Sequence, residues 1–329
     1  MNIGSKTSTP CFDAGSQYCP CILSDLGQCV ACSLLRGAVI CDCGWSGTCV
    51  YSEYVRNKNT PKKSRLPHSA TVLGRWEIPG RQIPGAPLAF GLELRVPNDM
   101  ASWCVQPGSF VLVRPPETTE RWNIPLCVAG TTATSITVAM EVAGPKTIAL
   151  ARCSSEGSQI TVTGPFWSGI QGHFNLRRHG GGRVLAVAKG INQATLVHVA
   201  QYVAHRGGTL KTLIGPGTLG TIFVNEALLA SGAQTQIMPR EKDHNLARVS
   251  AELSEGDYDL LVSAGGDVQH KSLIGLLRSL PDPPAFAWSS NLTMTCAEGI
   301  CGSCLKNGFR GCKSELSAQM PSLSREGLF

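Results

Sequence analysis

Hydrophobic and polar positions follow two different periods along this chain. From about Thr71 to Pro165, short apolar alternations recur as Gly91-Leu-Glu-Leu-Arg-Val96, Ser109-Phe-Val-Leu-Val-Arg114, Ser135-Ile-Thr-Val-Ala-Met140 and Gln159-Ile-Thr-Val-Thr163. Pro-Gly, Pro-Asn-Asp and Gly-Pro steps separate them. A period of two broken by turn residues predicts short strands, and their regular spacing predicts a small antiparallel β-barrel. From Arg183 the pattern alternates between strand and helix. Val184–Ala188, Thr209–Ile214, Thr235–Met238, Tyr258–Val262 and Ala285–Trp288 read as strands. Helices are expected near Gln193–His205, Gly220–Ala230, Asn245–Leu253 and Val268–Leu280. That alternation predicts a doubly wound parallel sheet of about five strands.

Composition adds the expected domain division. At 329 residues, with 43% hydrophobic and 16% charged positions, the chain is long enough for two or three domains and too apolar to be disordered. We divide it into a cysteine-rich head (1–52), a basic linker (53–70), the barrel (71–170), the α/β domain (183–290), a second cysteine loop (291–315) and a tail (316–329). The net charge of +6 owes much to Arg56-Asn-Lys-Asn-Thr-Pro-Lys-Lys-Ser-Arg65, which reads as a solvated stretch or a face for an acidic protein partner. Aromatics are few and no basic stripe is interleaved with them, which argues against nucleic acid as a partner. The first residues lack an apolar signal core and no apolar run is long enough for a membrane span, so a cytoplasmic location is expected. In a reducing compartment, clustered cysteines suit metal better than disulfides.

The most specific local pattern is Cys296-Ala-Glu-Gly-Ile-Cys301-Gly-Ser-Cys304, followed by Cys312. It has the C-x4-C-x2-C…C spacing of a plant-type 2Fe-2S cluster, in which four thiolates satisfy two irons. Gly299 and Gly302 would let the backbone pass close to the sulfides. A zinc knuckle is the alternative, although that motif more often pairs two C-x2-C units. Eight of the 15 cysteines lie earlier, at Cys11, Cys19, Cys21, Cys29, Cys32, Cys41, Cys43 and Cys49. Cys19-x-Cys21-x7-Cys29 is loosely echoed by Cys41-x-Cys43-x5-Cys49. With few large apolar side chains, this head cannot assemble a hydrophobic core, so metal must supply much of its order. All eight are candidate ligands. The C-x-C steps suit zinc fingers poorly and point to a cubane-type iron–sulfur cluster, with zinc or a disulfide-stapled head as alternatives.

Barrel, α/β domain and 2Fe-2S loop in that order resemble the ferredoxin-NADP reductase superfamily, and within it the electron-transfer subunit of class B dihydroorotate dehydrogenase. The similarity runs from about Thr71 to the cysteine loop. Pro107-Gly-Ser-Phe-Val-Leu-Val-Arg114 stands for the family's Pro-Gly-Gln-Phe-x-x-(Leu/Val)-Arg, Ile124-Pro-Leu-Cys-Val128 for Arg-Pro-Ile-Ser-Ile, and Gly164-Pro-Phe-Trp-Ser-Gly169 for Gly-Pro-Leu-Gly-x-Gly. The resemblance implies an FAD-binding barrel, an NAD-binding domain and a C-terminal 2Fe-2S cluster.

On that reading Pro125, Leu126 and Cys127 lie along the flavin ring, with Cys127 in place of a serine. Ile124 replaces the arginine expected at the pyrophosphate, and Arg121 is the candidate to supply that charge. Lys146 and Thr147, after Gly144-Pro145, resemble the second flavin contact, where N–H groups and a hydroxyl hold phosphate. Ala188-Lys-Gly-Ile-Asn-Gln-Ala-Thr195 stands for the family's Gly-Gly-Gly-Ile-Gly-x-Ala-Pro, and Ala264-Gly-Gly-Asp267 for its Cys-Gly-Pro motif. Lys189, Gly190, Ala194, Gly265 and Gly266 are therefore the candidate NAD(P) residues. Because Lys189 and Asn192 replace glycines, either the dinucleotide approaches differently or the domain keeps the fold without it. The head is no part of that subunit and looks like an addition found in related FAD/NAD-binding oxidoreductases of anaerobes.

Other motifs carry less. His179-Gly-Gly-Gly182 lacks the Gly-x-Ser-x-Gly elbow of a hydrolase and reads as the turn joining the two domains. His173, His198, His205, His244 and His270 are scattered singly and are expected to be structural or exposed; Cys104 and Cys153 are expected to be core thiols. The expected function is an iron–sulfur flavoprotein oxidoreductase subunit relaying electrons between NAD(P)H, FAD, the 2Fe-2S cluster and a protein partner such as a dehydrogenase subunit or a ferredoxin. Two readings stand beside it: a relay between two proteins without NAD(P), and a zinc-ordered, non-catalytic interaction protein.

Overall fold

The computed structural model describes residues 11–43, 47–80, 89–239, 242–306 and 308–315, so the expected tail lies outside the described residues. The described residues form two units: those from 11 to 66 combine with those from 292 to 315, and those from 67 to 291 make up the other. In the first unit, α1 (Ile22–Asp25) and α2 (Val50–Arg56) are short. Cys19, Cys29, Ala31, Cys32, Leu35 and Val50 form its small core. Half of that core is cysteine, as expected where large apolar side chains are scarce.

The larger unit begins with the barrel. Its elements are β1 (His68–Glu77), β2 (Ala89–Arg95), α3 (Asn98–Trp103), β3 (Phe110–Arg114), β4 (Ile124–Thr131), β5 (Ser135–Glu141), α4 (Pro145–Cys153) and β6 (Gln159–Phe166). The strands close in the order β1-β2-β5-β4-β3-β6, antiparallel throughout. Alternation fills the interior: Ile124, Leu126 and Val128 of β4 join Phe90, Leu92, Leu94, Val111, Val113, Ile136, Val138 and Ile160 in one core. Closure leaves no unpaired strand edge. Cys104 is fully buried in this core and Cys153 packs against it, as expected of core thiols.

The α/β half follows with β7 (Ile170–Gln171), α5 (His173–His179), β8 (Arg183–Lys189), α6 (Thr195–His205), β9 (Thr209–Gly215), α7 (Asn225–Ala230), β10 (Gln234–Ile237), α8 (Lys242–Glu255), β11 (Leu260–Ala264), α9 (Asp267–Ser279) and β12 (Ala285–Ser289). Sheet order is β10-β9-β8-β11-β12-β7. The five expected strands are parallel, and β7 adds a sixth, antiparallel edge. The apolar runs of β8 and β11 are buried, as central parallel strands covered by helices must be. Gly180–Gly182 link α5 to β8 inside this half, so the triple glycine is not the joint between barrel and sheet. Among the described residues no helix is long and apolar enough to cross a membrane.

The hairpin β13 (Leu305–Lys306) and β14 (Phe309–Arg310) belongs to the first unit. A bridge pairs Cys11 with Ser314, and the Phe12 N–H donates to the Lys313 carbonyl at 3.0 Å. Head and C-terminal cysteine loop are thus one folded body.

Candidate functional site

The hairpin returns Cys312 to Cys304, and their sulfurs lie 3.1 Å apart. Cys304 is drawn below the ordinary thiol range by the hydrogen bond shared with Cys312, which is pushed up in turn. At Cys301 burial opposes ionisation, but hydrogen bonds from Ser303 and Cys296 outweigh it and lower the thiol to about 7. The Glu298 N–H points at Cys296 Sγ, 3.3 Å away. Ala297, Gly299 and Gly302 take left-handed backbone conformations, with φ of 53°, 79° and 77°. Gly299 is also sterically required: a Cβ there would come within 2.9 Å of Leu23 Cδ1 and 3.2 Å of both Arg310 Cδ and Lys313 Cγ. Turned N–H groups and the lowered Cys301 and Cys304 thiols suit a thiolate-held cluster.

The flavin candidates gather on the outer face of β4. Leu126 points into the barrel core, so it could meet a ligand through its backbone alone. Pro125 is exposed and Cys127 half-buried on the opposite face. Cys127 Sγ lies 3.4 Å from Thr195 Oγ1, the first residue of α6, and burial pushes its thiol up to about 11. Lys146, in the first turn of α4, donates from Nζ to the Asn123 carbonyl at 3.3 Å, one residue before Ile124. Thr147 Oγ1 accepts the N–H groups of Ala143 and Gly144, both at 3.0 Å, and so caps α4. Arg121 sits exposed in a 3-10 turn at Glu120–Trp122. Motifs distant in sequence also touch: the Gly169 N–H donates to the Gly108 carbonyl at 3.0 Å, and a Cβ on Gly169 would stand 2.5 Å from that oxygen. Phe110 stacks on Phe166 with ring centroids 5.2 Å apart. Ser109 Oγ and Thr163 Oγ1 are buried with no partner among the described residues.

The nicotinamide candidates flank the point where the strand order reverses, between β8 and β11, which is where open α/β sheets bind ligands. Lys189 ends β8, Gly190 and Ala194 are buried in the following 3-10 turn, and Gly265 and Gly266 follow β11. The turn after β8 is tied to the one after β9. Gln193 is fully buried and donates to the Thr221 carbonyl at 3.0 Å while accepting the Phe223 N–H at 3.2 Å. A Cβ on Gly217 would lie 2.7 Å from the Gly190 nitrogen.

No family model matches the chain. Over 220 residues it is 26% identical to the electron-transfer subunit of dihydroorotate dehydrogenase B (NAD+) from Bacillus caldolyticus, covering 65% of this chain and 82% of that protein. The corresponding subunit from Geobacillus thermodenitrificans is 25% identical over the same length and coverage. The chain resembles this subunit. Among solved structures, the NADH-dependent reduced ferredoxin-NADP oxidoreductase gives a TM-score of 0.59 at 21% identity, over 74% of this chain and 84% of that one. A point mutant of ferredoxin-NADP+ reductase from Plasmodium falciparum, with 2'P-AMP, gives 0.52 at 11% identity, over 68% of this chain and 96% of that one. The barrel and doubly wound sheet are therefore the ferredoxin-NADP reductase fold.

All 15 cysteines are free thiols in the structure. Among the described residues no three His, Cys, Asp or Glu side chains already stand in ligating geometry. What the sequence pattern does not reveal is a buried ion cluster joining the two cysteine segments. Arg65 Nη2 meets Asp13 Oδ1 at 2.7 Å and its Nη1 meets Glu298 Oε1 at 3.2 Å, while Lys313 Nζ lies 2.5 Å from both Asp13 Oδ2 and Glu298 Oε2. Arg65 also lies over the Tyr18 ring, 3.9 Å from its centroid. The basic stretch expected to be solvated thus ends in a buried arginine, because two carboxylates from distant segments compensate its desolvation. Asp13 and Glu298 each stand two residues after a cysteine and Lys313 directly follows one. That shared spacing was the available signal.

Proposed function

We propose that this chain is an iron–sulfur flavoprotein electron-transfer subunit that binds FAD along β4, takes NAD(P)H at the switch point of its sheet, and exchanges electrons with a redox protein partner through a 2Fe-2S centre on Cys296, Cys301, Cys304 and Cys312. The observation that carries it is the convergence of three motif segments: Lys146 reaches the start of β4, and Cys127 meets the first residue of α6. Bound there, a flavin supplies the exchange between two-electron and one-electron donors. Pro125 and Cys127 offer the outward face of β4 to its ring. Lys146, exposed like Arg121 but hydrogen-bonded to the Asn123 carbonyl, puts a positive charge beside Ile124, where the family resemblance places an arginine. The relatives' name supports a dehydrogenase subunit as partner. The head is read as a second metal-ordered site, an iron–sulfur cluster with zinc as the alternative.

Anaerobically purified protein should contain flavin together with more iron and sulfide than one 2Fe-2S centre holds, and should bleach with NADH or NADPH. Protein holding neither flavin nor acid-labile sulfide would refute the proposal. Lys146→Ala should weaken FAD retention about tenfold, consistent with loss of one charge-assisted contact, while Arg121→Ala should leave it near wild type. Equal losses in both variants would count against the role given to Lys146.

A second reading, a relay between two proteins without NAD(P), is favoured by Gln193 and the Gly190–Gly217 contact, which tie down the turn where the family resemblance places a glycine run. Flavin bleached by reduced ferredoxin but by neither nucleotide would decide for it.

A further inference from the structure

Eight head cysteines are twice what one tetrahedral or cubane centre uses. Cys11, Cys19, Cys21 and Cys29 line one cavity, together with Asp13, Ala14, Leu23, Ser24, Val30, Ala31 and Val50. None of Cys32, Cys41, Cys43 and Cys49 lines it; Cys41 and Cys49 are exposed, and the Cys41 and Cys43 sulfurs approach each other to 3.6 Å. We infer that Cys11, Cys19, Cys21 and Cys29 are the ligands of the head's metal centre, and that the other four head cysteines do not ligate it.

Packing agrees with the cavity: Cys19 and Cys29 are buried in the unit's small core and Cys11 packs against it. Ligation there would couple occupancy to the folding of the segment. An all-sulfur donor set selects a thiophilic centre, either an iron–sulfur cluster or zinc. Through Asp13 and the Cys11–Ser314 bridge, the same segment is anchored to the C-terminal cysteine loop.

This inference rests on the proposed head metal and refines it to four ligands. The test is iron, sulfide and zinc per chain, with the electron paramagnetic resonance spectrum of the reduced protein, for full-length wild type, Cys21→Ser, Cys29→Ser and the Cys41→Ser/Cys43→Ser pair. Each inner variant should lose one centre's metal and keep the 2Fe-2S signal, and the outer pair should keep the inner centre. Iron with sulfide, or zinc alone, in the lost fraction identifies the metal. Should the inner variants fail to fold, mass mapping of alkylated thiols in native wild type decides the matter. Cys11, Cys19, Cys21 and Cys29 should then become reactive together, and only after chelation. Alkylation of the inner four in metal-loaded protein, or loss of the same centre in the outer pair, would overturn the assignment while leaving a head metal in place. A wild type holding iron for the 2Fe-2S centre alone and no zinc would overturn both.

Discussion

Replacing Lys313 with Met is expected to loosen the whole cysteine-rich unit, head and C-terminal loop together. Lys313 is fully buried, and its ammonium bridges Asp13 and Glu298. Burial alone would depress the lysine and raise Asp13. Mutual attraction outweighs it, so Lys313 is held above its ordinary range and Asp13 well below the usual carboxylate range. Two cations face two carboxylates; the methionine variant leaves one carboxylate uncompensated in a dry site. Removing one partner of a buried pair costs about 3–5 kcal/mol. Native-state hydrogen exchange reads this directly: protection over 11–36 and 296–315 should fall by roughly two to four orders of magnitude, with the barrel amides unaffected. The double variant Lys313→Met/Glu298→Gln removes one charge of each sign and should recover part of the loss, because the two sites share one network. Unchanged protection in Lys313→Met would show that the ion cluster does not hold the two segments together.

The ion cluster also marks where sequence reading stops. Arg65 pairs with carboxylates 52 and 233 positions away, and Lys313 with one 300 positions away. Nothing local separates such an arginine from the solvated ones before it in the basic stretch. Local chemistry was readable where period and turn residues agree: the expected barrel strands and the five parallel strands appear close to their expected limits, because alternation and buried apolar runs are set by nearest neighbours. Two-residue β7 has no period to detect, and α4 begins with Pro145, which serves as a helix start as well as a turn signal. Cys127 and Lys146 could be picked out by resemblance, but their meeting with Thr195 and Asn123 comes from closure of the barrel. His270 falls outside any sequence motif, yet from the start of α9 it reaches the ends of β11 and β12, with Nδ1 2.8 Å from Ser263 Oγ and Nε2 3.0 Å from the Ser289 carbonyl.

Acid should destabilise the α/β half well before its carboxylates titrate. His173, His198 and His270 are all buried, and desolvation pushes each imidazole down to about 4. The Arg177 guanidinium adds to the effect at His173, donating to its Nε2 at 2.9 Å. At His270, Asp267 and the backbone near Ser289 and Gly265 oppose desolvation without overcoming it. Both ring nitrogens of His198 are buried with no partner among the described residues. A folded value below the ordinary 6.5 means that the unfolded chain binds the proton first. Stability is therefore full above about pH 6.5 and is lost as pH falls toward 4, by about 2 kcal/mol per histidine at pH 5. Three such groups approach roughly 6 kcal/mol, comparable to the whole stability of many domains. Urea unfolding of the full chain at pH 7 and pH 5, followed by tryptophan fluorescence, should show that loss. His198→Leu should remove about a third of it and cost little at pH 7, since it deletes two unsatisfied polar atoms along with the imidazole. Equal urea midpoints at the two pH values would mean that these imidazoles are hydrated in solution and titrate normally.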